Sequence, residues 1–216
     1  MTAGTGSAAP AVKPRLRGVS HQLACGVALL AGLALVARAP TARGALAAAI
    51  YGASLTTLFG VSALYHRRHW SPAMRPWMRR LDHSAIFLLI AGTYTPFCLL
   101  LPGHTLLVVV WIGALCGMVQ AIAWVRAPKA VTAAIYVALG WVVLPFISAL
   151  RSRVDARQVW LLAAGGAAYS AGAAIYALRR PDPAPTVFGY HELFHALTIV
   201  ASGCHFAAVS LAVGRL

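Results

Sequence analysis

Acidic side chains are nearly missing from this chain: 4 Asp and Glu stand against 18 Lys and Arg in 216 residues, and only 10% of the residues are charged. A water-soluble surface needs more than that, and 60% hydrophobic residues with a mean hydropathy of +0.76 describe an integral membrane protein. Glycine-rich phosphate loops, heptads and internal repeats are absent, which excludes a nucleotide cradle, a coiled coil and a solenoid. The four cysteines, Cys25, Cys98, Cys116 and Cys204, lie in apolar runs without a CxxC pair, so they read as small core residues and say nothing of redox compartment. The net charge of +14 would suggest nucleic acid in a soluble chain. In a membrane chain it indicates cytoplasmic loops against anionic lipid headgroups and no nucleic-acid partner.

Residues 1–19 are rich in Ala, Gly, Thr, Pro and basic residues and are expected to be a disordered basic tail, with a membrane domain over residues 20–214. The first apolar run, about 21–37, imitates a cleaved signal peptide through Ala37-Arg38-Ala39, but Pro40 directly after it argues against cleavage. Further runs cover about 44–66, 83–101, 105–125, 130–150, 159–178 and 189–212. The expected fold is therefore all-α, a polytopic bundle of seven transmembrane helices, using about 140 residues at about 20 per crossing. One side of this ladder collects 12 basic residues, among them Lys13, Arg17, Arg67, Arg79, Lys129 and Arg180, and the other collects 6. The positive-inside rule then puts the N-terminus in the cytoplasm and the C-terminus outside. The connection between the second and third helices, with Trp70 and Trp77 among its arginines, suits the interface. Pro96 and Pro145 fall inside apolar runs, where each removes a backbone donor and bends its helix.

An ionisable side chain at membrane depth costs several kcal/mol on insertion scales unless partnered, so each is a functional candidate. Asp155 and Asp182 fall in loops, which leaves Asp82 and Glu192. His66 ends the second helix, Asp82 begins the third, and His191 and His195 begin the seventh, so all four share one leaflet whichever side is inside. His191 and His195 are one turn apart on one helical face, a spacing that presents two nitrogens to a metal, and Ser62 and His66 repeat it. Three neutral imidazoles with one water is a usual open zinc site. His83 points away from Asp82 on the same helix, His205 lies ten residues beyond His195 and out of reach, and His21, His69 and His104 read as interface or loop residues. His191-Glu-Leu-Phe-His195 also matches HExxH, the zinc-protease signature with the glutamate as general base. The extended form wants a third histidine where Ala201 stands, and no acid follows Glu192.

Ser62-Ala-Leu-Tyr-His66, Arg80-Leu-Asp82-His83-Ser84-Ala-Ile86, Ala91-Gly-Thr-Tyr-Thr-Pro96 and His191-Glu-Leu-Phe-His195, in that order, resemble the haemolysin III family over roughly residues 20–212. That family is similar to the progestin and adipoQ receptors, which include the adiponectin receptors, and more distantly to alkaline ceramidases. The resemblance implies seven helices around a zinc ion near the cytoplasmic side, with His66, His191 and His195 as ligands, Asp82 holding the reacting water and Ser62 supporting it. Unlike the receptors, this chain is expected to carry no large N-terminal domain, which puts hormone binding in doubt. The expected function is a zinc-dependent hydrolase of a lipid amide or ester bond, with membrane lipids as substrate, Asp82 as proton acceptor and oligomeric state left open. A pore-forming cytolysin, as the family name suggests, and a receptor or sensor with a structural zinc are the alternatives. Helices four to six carry only scattered polar groups such as Gln120, Thr132, Ser148, Tyr169 and Ser170, which argues against a monomeric pore.

Overall fold

Inside a bilayer every backbone N–H and C=O must find a partner within the chain, and long apolar runs meet that demand by coiling into helices. The computed structural model describes residues 13–216, and these are helical, with no strand among them. The helices are α1 (Val19–Ala37), α2 (Ala42–Arg67), α3 (Met74–Cys98), α4 (Thr105–Ala123), α5 (Lys129–Gly140), α6 (Ile147–Arg151), α7 (Ala156–Leu178) and α8 (Tyr190–Val213), with a 3-10 turn at Leu144–Phe146. Six segments are long and apolar enough to cross a membrane: α1, α2, α4, the α5–α6 stretch Lys129–Arg151, α7 and α8. Most of the expected tail, residues 1–12, lies outside the described residues. Its last part is tied down, because the Arg15 and Leu16 amides donate to the carbonyls of Thr186 and Val187 at 3.0 and 3.1 Å.

Two expectations need correction. The third helix starts at Met74, not near His83, so Trp77, Arg79 and Arg80 are helical and only Trp70 remains in the connection. The arginines carry good helix propensity, and Pro76 sits in the first turn, where its missing N–H has no intrahelical partner to lose. At 25 residues α3 has the length of a crossing, but its first turns carry Arg75, Arg79, Arg80 and Asp82. The apolar run over 130–150 is not one helix. It stops at Gly140, passes through the 3-10 turn that contains Pro145, and resumes as α6. The freed backbone groups are caught from α3: Tyr94 Oη donates to the Gly140 carbonyl at 2.6 Å and accepts the Val143 N–H at 3.2 Å. Pro96, in contrast, stays within α3.

Helices α2, α3 and α8 form the centre. α1 packs on α2, α4 on α3, α7 on α8, and α8 also meets α1, α2 and α3. Gly32 and Gly52 let α1 and α2 close, since a Cβ on either would lie 3.1 Å from the other's Cα. The main core joins Leu55, Leu58 and Phe59 of α2 to Leu89 of α3 and to Val209 and Val213 of α8, and a second one joins Phe87 of α3 to Val110 and Ala114 of α4.

Candidate metal centre

At the end of the bundle where α2 stops and α1, α3 and α8 start, the fold delivers four polar side chains to one spot. His66 and His191 face each other with Nε2 atoms 3.2 Å apart, and His195 completes a trio in which one nitrogen from each lies within 4.8 Å of the others. A tetrahedral ion with bonds of about 2.0–2.1 Å holds its ligand nitrogens roughly 3.3 Å apart. The separation of His66 and His191 therefore suits a shared metal, and a trio of neutral imidazoles suits a borderline ion such as zinc better than magnesium or calcium. Asp82 Oδ2 stands 3.8 Å from His66 Nε2, beside the trio and not inside it. Ser62, one turn before His66, lines the same cavity.

The histidine expected at the interface is part of this group. His21, in the first turn of α1, is 2% exposed, stacks on His195 with ring centroids 3.8 Å apart, and its Nδ1 shares a hydrogen with Ser62 Oγ at 2.9 Å. Its Nε2 has no hydrogen-bond partner among the described residues. The sequence did hold the signal: α1 starts in the same layer as α3 and α8. Nothing in spacing alone separated His21 from His69 and His104, which are exposed. Gly18 makes the approach of this segment to the site possible. It has φ of 78°, and a Cβ there would stand 2.7 Å from His66 Cβ, so any side chain would be both strained and obstructed.

Glu192, the base in the protease reading, is occupied elsewhere. Its Oε2 accepts the Gly189 N–H at 2.8 Å, closing the first turn of α8, while Oε1 is ion-paired with Arg17. His83 lines the cavity and its carbonyl accepts from Tyr136 Oη at 3.2 Å, and His205 lies deeper, with Nε2 against the Leu162 carbonyl at 3.2 Å. Asp155 caps α7 and pairs with Arg215, and Asp182 accepts the Tyr190 N–H, so neither acid reaches the histidines. Outside the spans, Lys13 has a pKa below the usual lysine value because of partial desolvation and the nearby charges of Arg17, Arg67 and Arg75.

The trio opens on a cavity of about 320 Å³ between α2, α3, α5, α7 and α8. Its wall runs from Arg17 and Asp82 at the histidine end to Trp141, Tyr169 and His205. His205 is ten residues past His195, or roughly 15 Å along a helix, so the cavity is elongated along the bundle. Leu58, Ile86, Leu89, Ile90, Val137 and Phe194 make much of it apolar. The arrangement can hold a metal at one end, keep a carboxylate within reach of a metal-site ligand, and receive an elongated apolar body.

A family model described as haemolysin-III related matches residues 10–206 of this chain. Hemolysin-3 of Bacillus cereus is 38% identical over 140 residues, which is 63% of this chain and 64% of that protein. A hemolysin-3 homolog of Bacillus subtilis strain 168 is 33% identical over 165 residues, 74% of each chain.

Proposed function

This chain belongs to the haemolysin III family and is a multi-pass protein of the cell membrane, and on that premise we propose that it is a zinc-dependent hydrolase of a lipid amide or ester bond. The observation that carries the reading is the convergence of His66, His191, His195 and Asp82, from three sequence-distant helices, at one end of one largely apolar cavity. The same reading has α3 as the seventh crossing, with the N-terminus in the cytoplasm and the C-terminus outside. The basic residues around the histidine end favour that orientation.

His66, His191 and His195 would hold the zinc, which when bound polarises a carbonyl and acidifies water. Asp82 is the group on this chain placed to orient a water beside the trio and take its proton, then to return that proton to the leaving amine or alcohol. Ser62 fixes His21, and His21 in turn braces the His195 ring by stacking, so both serve to hold a ligand in place. Exclusion of bulk water falls to the apolar wall. A lipid amide, as in ceramidase-like chemistry, or a lipid ester fits a site that receives its substrate from the bilayer.

The test is a comparison of wild type with Asp82→Asn in cells by lipidomics, with metal content and melting temperature measured on the purified proteins. A lipid product made only by wild type, with Asp82→Asn keeping its metal and losing activity by about 10²–10⁴, is expected. Loss of metal in Asp82→Asn would make that residue a ligand, and an active Asp82→Asn beside an inactive Glu192→Gln would move the base to Glu192. The names of the two relatives favour a second reading, a cytolytic pore, and conductance of purified protein in planar bilayers without any lipid product would establish it instead.

A further inference from the structure

Three cations face into this largely apolar cavity: Arg17 ahead of α1, Arg79 on α3 and Lys129 at the start of α5. Arg67, Arg68, Arg75 and Arg126, at the same end of the bundle, are exposed. Topology asks only for basic residues in the loops, so it does not explain why these three turn inward. Their partners differ. Arg17 is neutralised by Glu192. Lys129 has neutral partners, donating to Tyr190 Oη at 2.8 Å and lying 4.5 Å over the Tyr176 ring. Arg79 has no ion-pair partner among the described residues, although Asp82 is three residues away. Asp82 is the one acid among the residues described as lining the cavity; the basic group within 4 Å of its carboxylate is His66, and Arg79 acts on it only from farther off.

Two cations without an ion pair among the described residues therefore line a cavity whose lining holds one carboxylate. Partly buried charges of one sign are costly unless a ligand compensates them. We infer that the cavity takes a lipid whose headgroup carries a phosphate. Arg79 grips two phosphate oxygens through its planar fork, Lys129 supplies a point charge, and the acyl chain lies along the apolar wall toward Trp141. This rests on the reading of the cavity as a substrate site and narrows the substrate class to an anionic phospholipid, as against a neutral lipid such as ceramide.

Native mass spectrometry of the full-length protein can test this with three probes: dioleoyl phosphatidic acid, dioleoylglycerol and inorganic phosphate. Wild type should prefer the phosphatidic acid over the diacylglycerol by at least about tenfold. Arg79→Gln should lose that preference, Lys129→Gln should reduce it, and Arg75→Gln, at an exposed site on the same helix, should keep it. Equal binding of the two lipids by wild type would overturn the inference. So would a preference that survives in Arg79→Gln and Lys129→Gln proteins with wild-type melting temperatures, or inorganic phosphate that competes as well as the phospholipid. Lipid products measured in the same samples separate the two claims. A phosphate preference with no turnover removes the hydrolase and keeps the ligand class, whereas turnover of a neutral lipid without the preference does the reverse.

Discussion

Along the apolar stretch of α2, 50% of the residues are buried within the bundle, whereas along that of Lys129–Arg151 11% are. Both spans border the same cavity, and they contribute opposite things to it. α2 carries His66 and Ser62 on an unbroken helix packed against α1, α3 and α8. The opposite wall is α5, which ends at Gly140 and hands over to a 3-10 turn held by Tyr94. Nitrogens that could share one metal ion tolerate little drift, so a candidate site of this kind belongs where helices touch closely. A wall that only encloses an apolar body can be interrupted, provided its loose backbone groups are caught.

The sharpest way to break that contrast is at the histidines. Replacing His191 and His195 together by Ala should reduce bound zinc to background in elemental analysis, while His205→Ala, from deeper in the same cavity, should leave it unchanged. Binding should also fade on acidification, because an imidazole must be neutral to ligate and protonation competes with the metal. Full zinc content in the double variant would remove the site. His21 should have a smaller effect. His21→Phe keeps a ring against His195 but drops the Ser62 contact, and zinc affinity in competition with a chelator should fall by about 10- to 100-fold with occupancy recoverable at higher zinc. No change would make His21 a packing residue only.

How much of this was legible follows from what hydropathy does and does not encode. The equal depth of His66, Asp82, His191 and His195 came from alternation of the spans, a count that needs no contacts. The same alternation puts the first turn of α1 in that layer, yet nothing in the sequence around His21 distinguishes a site residue from an interfacial one. Polarity around Trp77, Arg79 and Arg80 suggests a connection, yet arginine is among the better helix formers and the helix runs through them. Pro145 marks a bend in the 130–150 run, but that the helix stops as early as Gly140 is not legible. Hydropathy stays high on both sides of Gly140, and whether its carbonyl meets its own helix or Tyr94 depends on a residue 46 positions away.

Packing on the two walls can be compared by adding one methyl to each. A Cβ at Gly92 would stand 2.1 Å from Ser54 Oγ and 2.7 Å from Ser54 Cβ, and turning the hydroxyl away relieves the first contact but not the second. Gly92→Ala should therefore push α3 off α2 and lower stability by about 1–3 kcal/mol, read as a lower melting temperature in detergent. At Gly140 nothing lies within 4 Å of the added atom, so Gly140→Ala should be neutral or slightly stabilising, by up to about 1 kcal/mol. Equal losses at both positions would mean that the α5 wall is as closely packed as the α2 wall.

Tyr94→Phe is the smallest change and bears on how the interrupted wall is held. The ring stays, so the contacts of Tyr94 with the second core are kept, and what is lost is one hydroxyl. That hydroxyl donates to Gly140 and accepts from Val143, bridging the gap between α5 and the 3-10 turn. The amide of Val143 and the carbonyl of Gly140 would then face a cavity edge with no partner from the helix that ended before them. Deleting one partner of a buried pair costs about 1–3 kcal/mol when the other is left dry, and less when water replaces it. The cavity reaches this point, with Tyr94, Gly140 and Trp141 all on its wall, so water can enter, and the expected loss is nearer 1 kcal/mol. Zinc content should not move, since α2 and α8 are untouched. Hydrogen exchange should quicken at Val143 and its neighbours while the amides of α2 stay protected. Uniform exchange across both walls would show that the break in α5 is closed by something other than Tyr94.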